Sequence, residues 1–363
     1  MKSTFTSSLV QLALTLSLLR VEPAGAAPTD DATVQAAYHV IYSYPGVTPP
    51  AHLLDLVGQG KVGGICLFGE NIDENTGSVI ENLQSTYASS PYSDGTPLLI
   101  MTDQEGGEVR RVSGGPELSE KEVGVSATPS TAATTAGKQA SSALADLSIN
   151  ANLAPVLGVY REEGNFLDKD ERSYSNDSAV VGDCGSAFIT AQQAGGAIAT
   201  AKHFPGLGAA TTTENTDAAP VTLNVPLSEL RSVDQAPYKK AIAAGVDMVM
   251  PSWAVYPALD AKNPSGLSKA WVQDELRGRL GFKGVTVTDA IEAGSLKAFG
   301  DDGQRGVLAS QAGVDLILAS GRNATQGEVV LNALVSALNS KTLPSGPFSD
   351  ATKRIVSLRG KVA

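Results

Sequence analysis

The sequence predicts an α/β fold, a (β/α)8 TIM-type barrel in a single domain. Three observations carry that expectation: eight short apolar runs of β type recur along the chain, helix-like segments separate them, and polar residues gather where the runs end. Apolar runs bounded by turn residues read as strands buried on both faces, which belong to parallel sheets, and eight strands close a barrel. An open doubly wound sheet is the rival arrangement.

The runs fall at 39–44, 62–68, 97–102, 149–156, 199–204, 246–251, 284–288 and 314–319. Pro45 and Gly46 stop the first, and the last is apolar apart from Asp315. Helices are expected at 77–88, 130–147, 228–244, 268–280 and 304–312, with Ser228 and Ser268 as N-caps. Residues 326–363 read as a helix, a Pro/Gly turn at 343–347 and a second helix. No stretch is a linker long enough to separate a second domain, so the barrel domain is expected at 32–363.

Residues 1–26 read as a secretory signal peptide. Lys2 supplies the positive start, 9–19 is a mostly apolar run too short to span a membrane, and Ala24-Gly25-Ala26 resembles a cleavage site. A secreted, extracellular protein is expected. Of the 363 residues, 42% are apolar and 18% charged, enough apolar material for a large core, and the formal net charge is −11. That acidity argues against nucleic acid or an anionic membrane as a partner. Cys66 and Cys184 are too few for a disulfide framework or a zinc site; a bridge between them and two unpaired thiols both stay open. His39, His52 and His203 share no metal-ligand spacing, so no metal or cofactor is expected. Asn176 and Asn323 begin glycosylation sequons.

The ends of the runs carry the chemistry. The third ends in Asp103-Gln104-Glu105-Gly106-Gly107, the fifth in Lys202-His203, the sixth in Pro251-Ser252-Trp253 and the seventh in Asp289. In barrels that rim is the catalytic face, and charged residues directly after apolar strands are costly unless paired or used. Asp289 reads as a nucleophile or base, or as a capping Asp. Asp103 reads as an anchor for a polyol, or as a turn carboxylate. Lys202 and His203 suggest ligand contact. Trp253 reads as a stacking platform for a sugar ring, or as a core plug.

These segments resemble glycoside hydrolase family 3. Residues 103–111 are similar to its DQEGGRVxR segment, 202–206 to KHFPGHG, and 281–289 to GFxGVVxSD, whose final Asp is the nucleophile. The stretches 62–68 and 256–260 also match, and 170–174 resembles the segment that supplies a sugar-binding Arg. The likeness is closest to the single-domain β-N-acetylglucosaminidase branch. It implies a carbohydrate substrate, with Asp103, Arg111, Arg172, Lys202 and His203 holding the hydroxyls of the first sugar and Asp289 forming a covalent glycosyl-enzyme with retention. It therefore implies a retaining exo-β-glycosidase acting on terminal β-linked N-acetylglucosamine or a related hexose.

One departure matters. After KHFPGHG that branch carries a D-x-H unit whose His is the acid/base, and residues 206–217 contain no His. Glu214 takes the Asp place and Thr216 the His place, and Thr is no general acid near neutral pH. Glu214 and Asp217 are the candidate replacements. The competing expectations are a sugar-binding barrel with weak or no catalysis, because the usual acid/base His is missing, a β-glucosidase, and a glycosidase that transfers sugar to phosphate.

Overall fold

The computed structural model describes Met1 and residues 31–362, so the expected signal segment lies, apart from Met1, outside the described residues. Eight parallel strands form one sheet: β1 (Val40–Tyr42), β2 (Gly64–Cys66), β3 (Leu99–Thr102), β4 (Ala151–Asn152), β5 (Ile198–Phe204), β6 (Met248–Pro251), β7 (Val285–Thr286) and β8 (Ile317–Leu318). The spatial order is β7-β6-β5-β4-β3-β2-β1-β8. Each strand lies inside one expected run except β5, which starts one residue earlier. A further parallel bridge, Val287 with Leu316, joins the segments that extend the two outer strands. The architecture is thus an α/β parallel sheet consistent with a TIM-type barrel.

Alternation along the strands decides what faces what. Ile41, Cys66, Met101, Ala151, Ile198, Met248, Val285 and Leu318, one from each strand, pack in a single apolar cluster. Their neighbours Val40, Tyr42, Ile65 and Ile100 turn the other way, into the layer of helices. That two-sided burial is why the runs lack a polar alternation. Helices Pro129–Ala145 and Ser178–Ala194 belong to the outer layer. At Gly137 a Cβ would stand 2.4 Å from the Phe188 carbonyl oxygen, so only glycine allows these two helices to approach so closely.

The caps differ from expectation. Ser228 lies inside a helical turn that starts after Pro226, and the Ser268 hydroxyl donates to Asp260 Oδ2 at 2.8 Å instead of capping. Residues 270–279 form a π-type helix. Two antiparallel hairpins, Gln104–Gly106 with Val109–Arg110 and Val255–Tyr256 with Asp260–Pro264, were not foreseen. The C-terminal pair of helices appears at Ala324–Asn339 and Ser345–Arg359. His39 is buried away from the rim, its ring stacked on Phe348 and its Nε2 2.8 Å from Thr352 Oγ1. Cys66 and Cys184 are both free and buried.

Candidate active site

The C-terminal ends of the strands surround a cavity of about 510 Å³. Asp103, Arg111, Arg172, Lys202, His203, Asp217 and Asp289 all line it. Strand β5 delivers Lys202 and His203, and its whole length is buried. The hairpin after β3 turns Glu105 inward and sets Arg111 beside the rim, where its backbone N–H donates to the Gln104 side chain at 3.0 Å.

The floor of the cavity is an ion network. Lys202 Nζ lies 2.7 Å from Asp103 Oδ1 and 2.7 Å from Glu105 Oε1. Arg172 grips the same Glu105 through two parallel bonds of 2.8 and 2.9 Å. Such forked, charge-assisted pairs fix geometry as well as charge. Burial pushes the Glu105 carboxyl up, but Arg172 and Lys202 outweigh it and hold it well below the usual range. Burial pulls the Lys202 ammonium down, but Asp103 and Glu105 outweigh that and raise it. Behind them Glu120, buried and accepting from the Val156 N–H at 2.8 Å, is pushed well up by burial and by Glu105.

Asp289 and His203 line the same cavity. Asp289 is mostly buried, with 18% of its side chain exposed, and accepts from its own loop at Ala290 N, 2.7 Å. His203 Nε2 stands 3.9 Å from its Oδ2. Burial, then Lys202 and Arg172, hold His203 well below the usual imidazole value, so it is neutral. Burial, then the charge of Asp217, push Asp289 up to about 7. Asp217 is itself raised: although the residue as a whole is exposed, its carboxyl lines the cavity, and its partial burial there, with the charge of Asp103, outweighs Arg172 and Lys202. The charge of Asp217 thus makes Asp289 harder to ionise, and the two carboxyls resist being charged together.

The loop carrying Asp217 is tied down. Gly294 N donates to Asp217 O at 2.7 Å, and Ser295 N to Thr216 O at 3.1 Å. A Cβ on Gly294 would come within 2.1 Å of the Ala218 carbonyl oxygen, so glycine is required for this docking. Glu214 is placed otherwise than expected. Its Oε2 accepts from Thr211 N and Oγ1 at 2.8 and 3.0 Å, and it does not line the cavity. Trp253 also corrects the expectation: it is fully buried in the core and its indole N–H donates to Ala290 O at 2.9 Å, so it braces the Asp289 loop rather than offering a face to a sugar.

Sequence reasoning did not single out Glu105, Glu292, Arg322 or Phe68, which also line the cavity. Glu105 stood within a quoted motif. Glu292 follows Asp289 by one turn of chain and is held by Ser320 Oγ at 2.8 Å and Gln326 Nε2 at 3.0 Å.

Residues 41–358 match the glycosyl hydrolase family 3 N-terminal domain. The chain belongs to glycosyl hydrolase family 3. It is therefore a glycosidase by family. A protein of Arthroderma benhamiae named an uncharacterized secreted glycosyl hydrolase is 55% identical over 92% of this chain and 94% of its own length. A beta-hexosaminidase of Stenotrophomonas maltophilia is 34% identical over 73% of this chain and 78% of its own. Among solved structures, a family 3 β-N-acetylglucosaminidase from Paenibacillus sp. superposes with a TM-score of 0.85 at 32% identity; the match covers 91% of this chain but 62% of that one. A β-N-acetylhexosaminidase from Beutenbergia cavernae gives a TM-score of 0.80 at 30% identity, covering 92% of this chain and 99% of that one.

Proposed function

We propose that this chain is a secreted, retaining exo-β-glycosidase that removes terminal β-linked N-acetylglucosamine, with Asp289 as nucleophile and Asp217 as acid/base. The observation that carries it is the pair of raised carboxyls, Asp289 and Asp217, lining one cavity beside the Lys202–Glu105–Arg172 network, with the charge of Asp217 helping to raise Asp289. A retaining glycosidase needs one charged and one protonated carboxyl at the start of its cycle, and one proton shared by two supplies that state. The names of the relatives support the sugar and the secretion. The Val287–Leu316 bridge supports reading the sheet as a closed (β/α)8 barrel.

The floor network holds the sugar hydroxyls. Asp289 attacks the anomeric carbon as the glycosidic C–O bond breaks, and Asp217 gives its proton to the departing oxygen. Asp217, now charged, takes a proton from water; the water oxygen bonds to the anomeric carbon and frees Asp289. Configuration is retained by the double displacement.

Two aryl substrates and one variant test this. With Asp217→Asn, hydrolysis of a poorly activated aryl β-N-acetylglucosaminide falls by about a hundredfold or more, the usual worth of a general acid. A highly activated dinitrophenyl glycoside still forms the glycosyl-enzyme, and azide restores turnover. Asp289→Ala is inactive on both. Equal losses on the two substrates, without azide rescue, remove Asp217 from the role. No turnover of any aryl β-glycoside by the unaltered chain favours the sugar-binding barrel, which the missing His supports. Faster cleavage of the β-glucoside reassigns the sugar.

A further inference from the structure

Apart from the anchors, the cavity has a second charged element, on the opposite half of the ring of strands. Arg322 follows β8 and lines the mouth. Its guanidinium lies over the Phe68 ring, 4.6 Å from the centroid, and Phe68 follows β2 and lines the same cavity. The backbone at Arg322 is in the left-handed region, φ 55°, which a non-glycine residue adopts only when held. It is held: its N–H donates to Ser43 Oγ at 2.8 Å, and Ser43 Oγ donates in turn to Ala319 O at 2.9 Å. The chain thus accepts an unfavourable conformation to aim this side chain over the cavity.

Of the other cavity cations, Lys202 and Arg172 each contact carboxylates at hydrogen-bond distance. Arg111, whose Nε is buried without a hydrogen-bond partner, follows β3 and stands with the hydroxyl anchors, not beside β8. Arg322 has only a loose pairing, 3.5 Å to Glu70, and the two side chains are 52% and 41% exposed. A surface pair of that kind is worth little and is readily exchanged. A guanidinium held over an aromatic ring can still turn N–H groups outward, and two of them match a carboxylate bidentately. The nearby Glu292 is turned to Ser320 and Gln326, whose donors temper its charge.

Strands β3 to β5 carry the hydroxyl anchors and β7 carries Asp289, so β8, β1 and β2 bound the space beyond the anomeric carbon. We propose that Arg322, seated on Phe68, forms a leaving-group subsite that favours an aglycone bearing a carboxylate. The proposal rests on the glycosidase reading above.

Two aryl β-N-acetylglucosaminides with phenols of matched acidity test it, one neutral and one carrying a ring carboxylate. The unaltered chain prefers the carboxylate in kcat/KM by about tenfold at low salt, and about 0.5 M NaCl erodes the preference. Arg322→Gln brings the ratio to about one; Arg322→Lys keeps part of the preference. A ratio near one in the unaltered chain, or one unchanged by Arg322→Gln, overturns the subsite. If neither glycoside is turned over, the catalytic reading fails separately. Calorimetric binding of the same pair then decides: tighter binding of the carboxylate that Arg322→Gln abolishes sustains the subsite, and equal affinities overturn it.

Discussion

Replacing Asp289 with Asn should make the protein more stable, and by an amount that depends on pH. The carboxyl has an ordinary value of 3.8 and sits at about 7 in the fold, raised first by burial and then by Asp217. Between those two values the native state holds a proton that the unfolded chain releases, so stability falls as pH rises through that window. Below 3.8 the carboxyl is neutral in both states and costs nothing; above about 7 the cost is complete. With 18% of the side chain exposed, solvent screening is modest. A gap of about three pH units at 1.36 kcal/mol each is about 4 kcal/mol at pH 8, and about 1.5 kcal/mol at pH 5. Asn keeps the shape and the acceptor for Ala290 N–H but carries no charge. Urea unfolding of the two proteins at pH 5 and pH 8 reads the difference. A gain that grows by about 2 to 3 kcal/mol between the two pH values fits the reasoning. A gain equal at both, or absent, would refute it, because Asp289 would then carry no buried penalty. The Asp217→Asn protein supplies the control: with one of the two charges gone, the pH dependence of its stability should flatten.

Three further outcomes follow from the geometry. Lys202→Met leaves Asp103 and part of Glu105 without a cation, and breaking a buried pair in this way costs roughly 3–5 kcal/mol, measurable as a lower urea midpoint at pH 7. Trp253→Phe removes the bond to Ala290 O; it should lower unfolding free energy by about 1–3 kcal/mol and lower kcat more than it changes KM, and an altered KM alone would return Trp253 to the substrate. Burial pushes the Cys184 thiol up to about 12 and raises Cys66 as well, so a thiol reagent should label neither in the native protein and both after unfolding without reductant; labelling that needs reductant would point to a bridge.

The strands were legible because each is buried on both faces and therefore reads as an uninterrupted apolar run. The hairpin 104–110 was not, since it is short, polar and set by the positive φ of Gly106 and Gly107 at its turn rather than by periodicity. The charged residues of the cavity were legible because a Lys, a His or an Asp at the end of such a run has few structural uses. Trp253 misled for a related reason: an aromatic residue at a strand end looks the same in sequence whether it faces the cavity or folds back beneath Ala290. Glu214 and Asp217 were equivalent in sequence, three residues apart on one loop; only the turn closed by Thr211 separates them. Arg322 carried no motif at all. What distinguishes it is the Phe68 ring beneath it, contributed by a strand more than two hundred residues earlier in the chain.

The pairing of β1 with β8 also sets a clock on synthesis. His39, just before β1, closes on the backbone of Asp315, 276 residues later. At ribosomal speeds of 5–20 residues per second that is roughly 15 to 55 seconds during which Val40 and Ile41 have β2 on one side and nothing native on the other. A growing parallel sheet with an open apolar edge is a template for other strands. The vulnerable moment of this protein therefore precedes release, and a ribosome that stalls before residues 314–319 would present that edge to a chaperone or to a neighbouring chain.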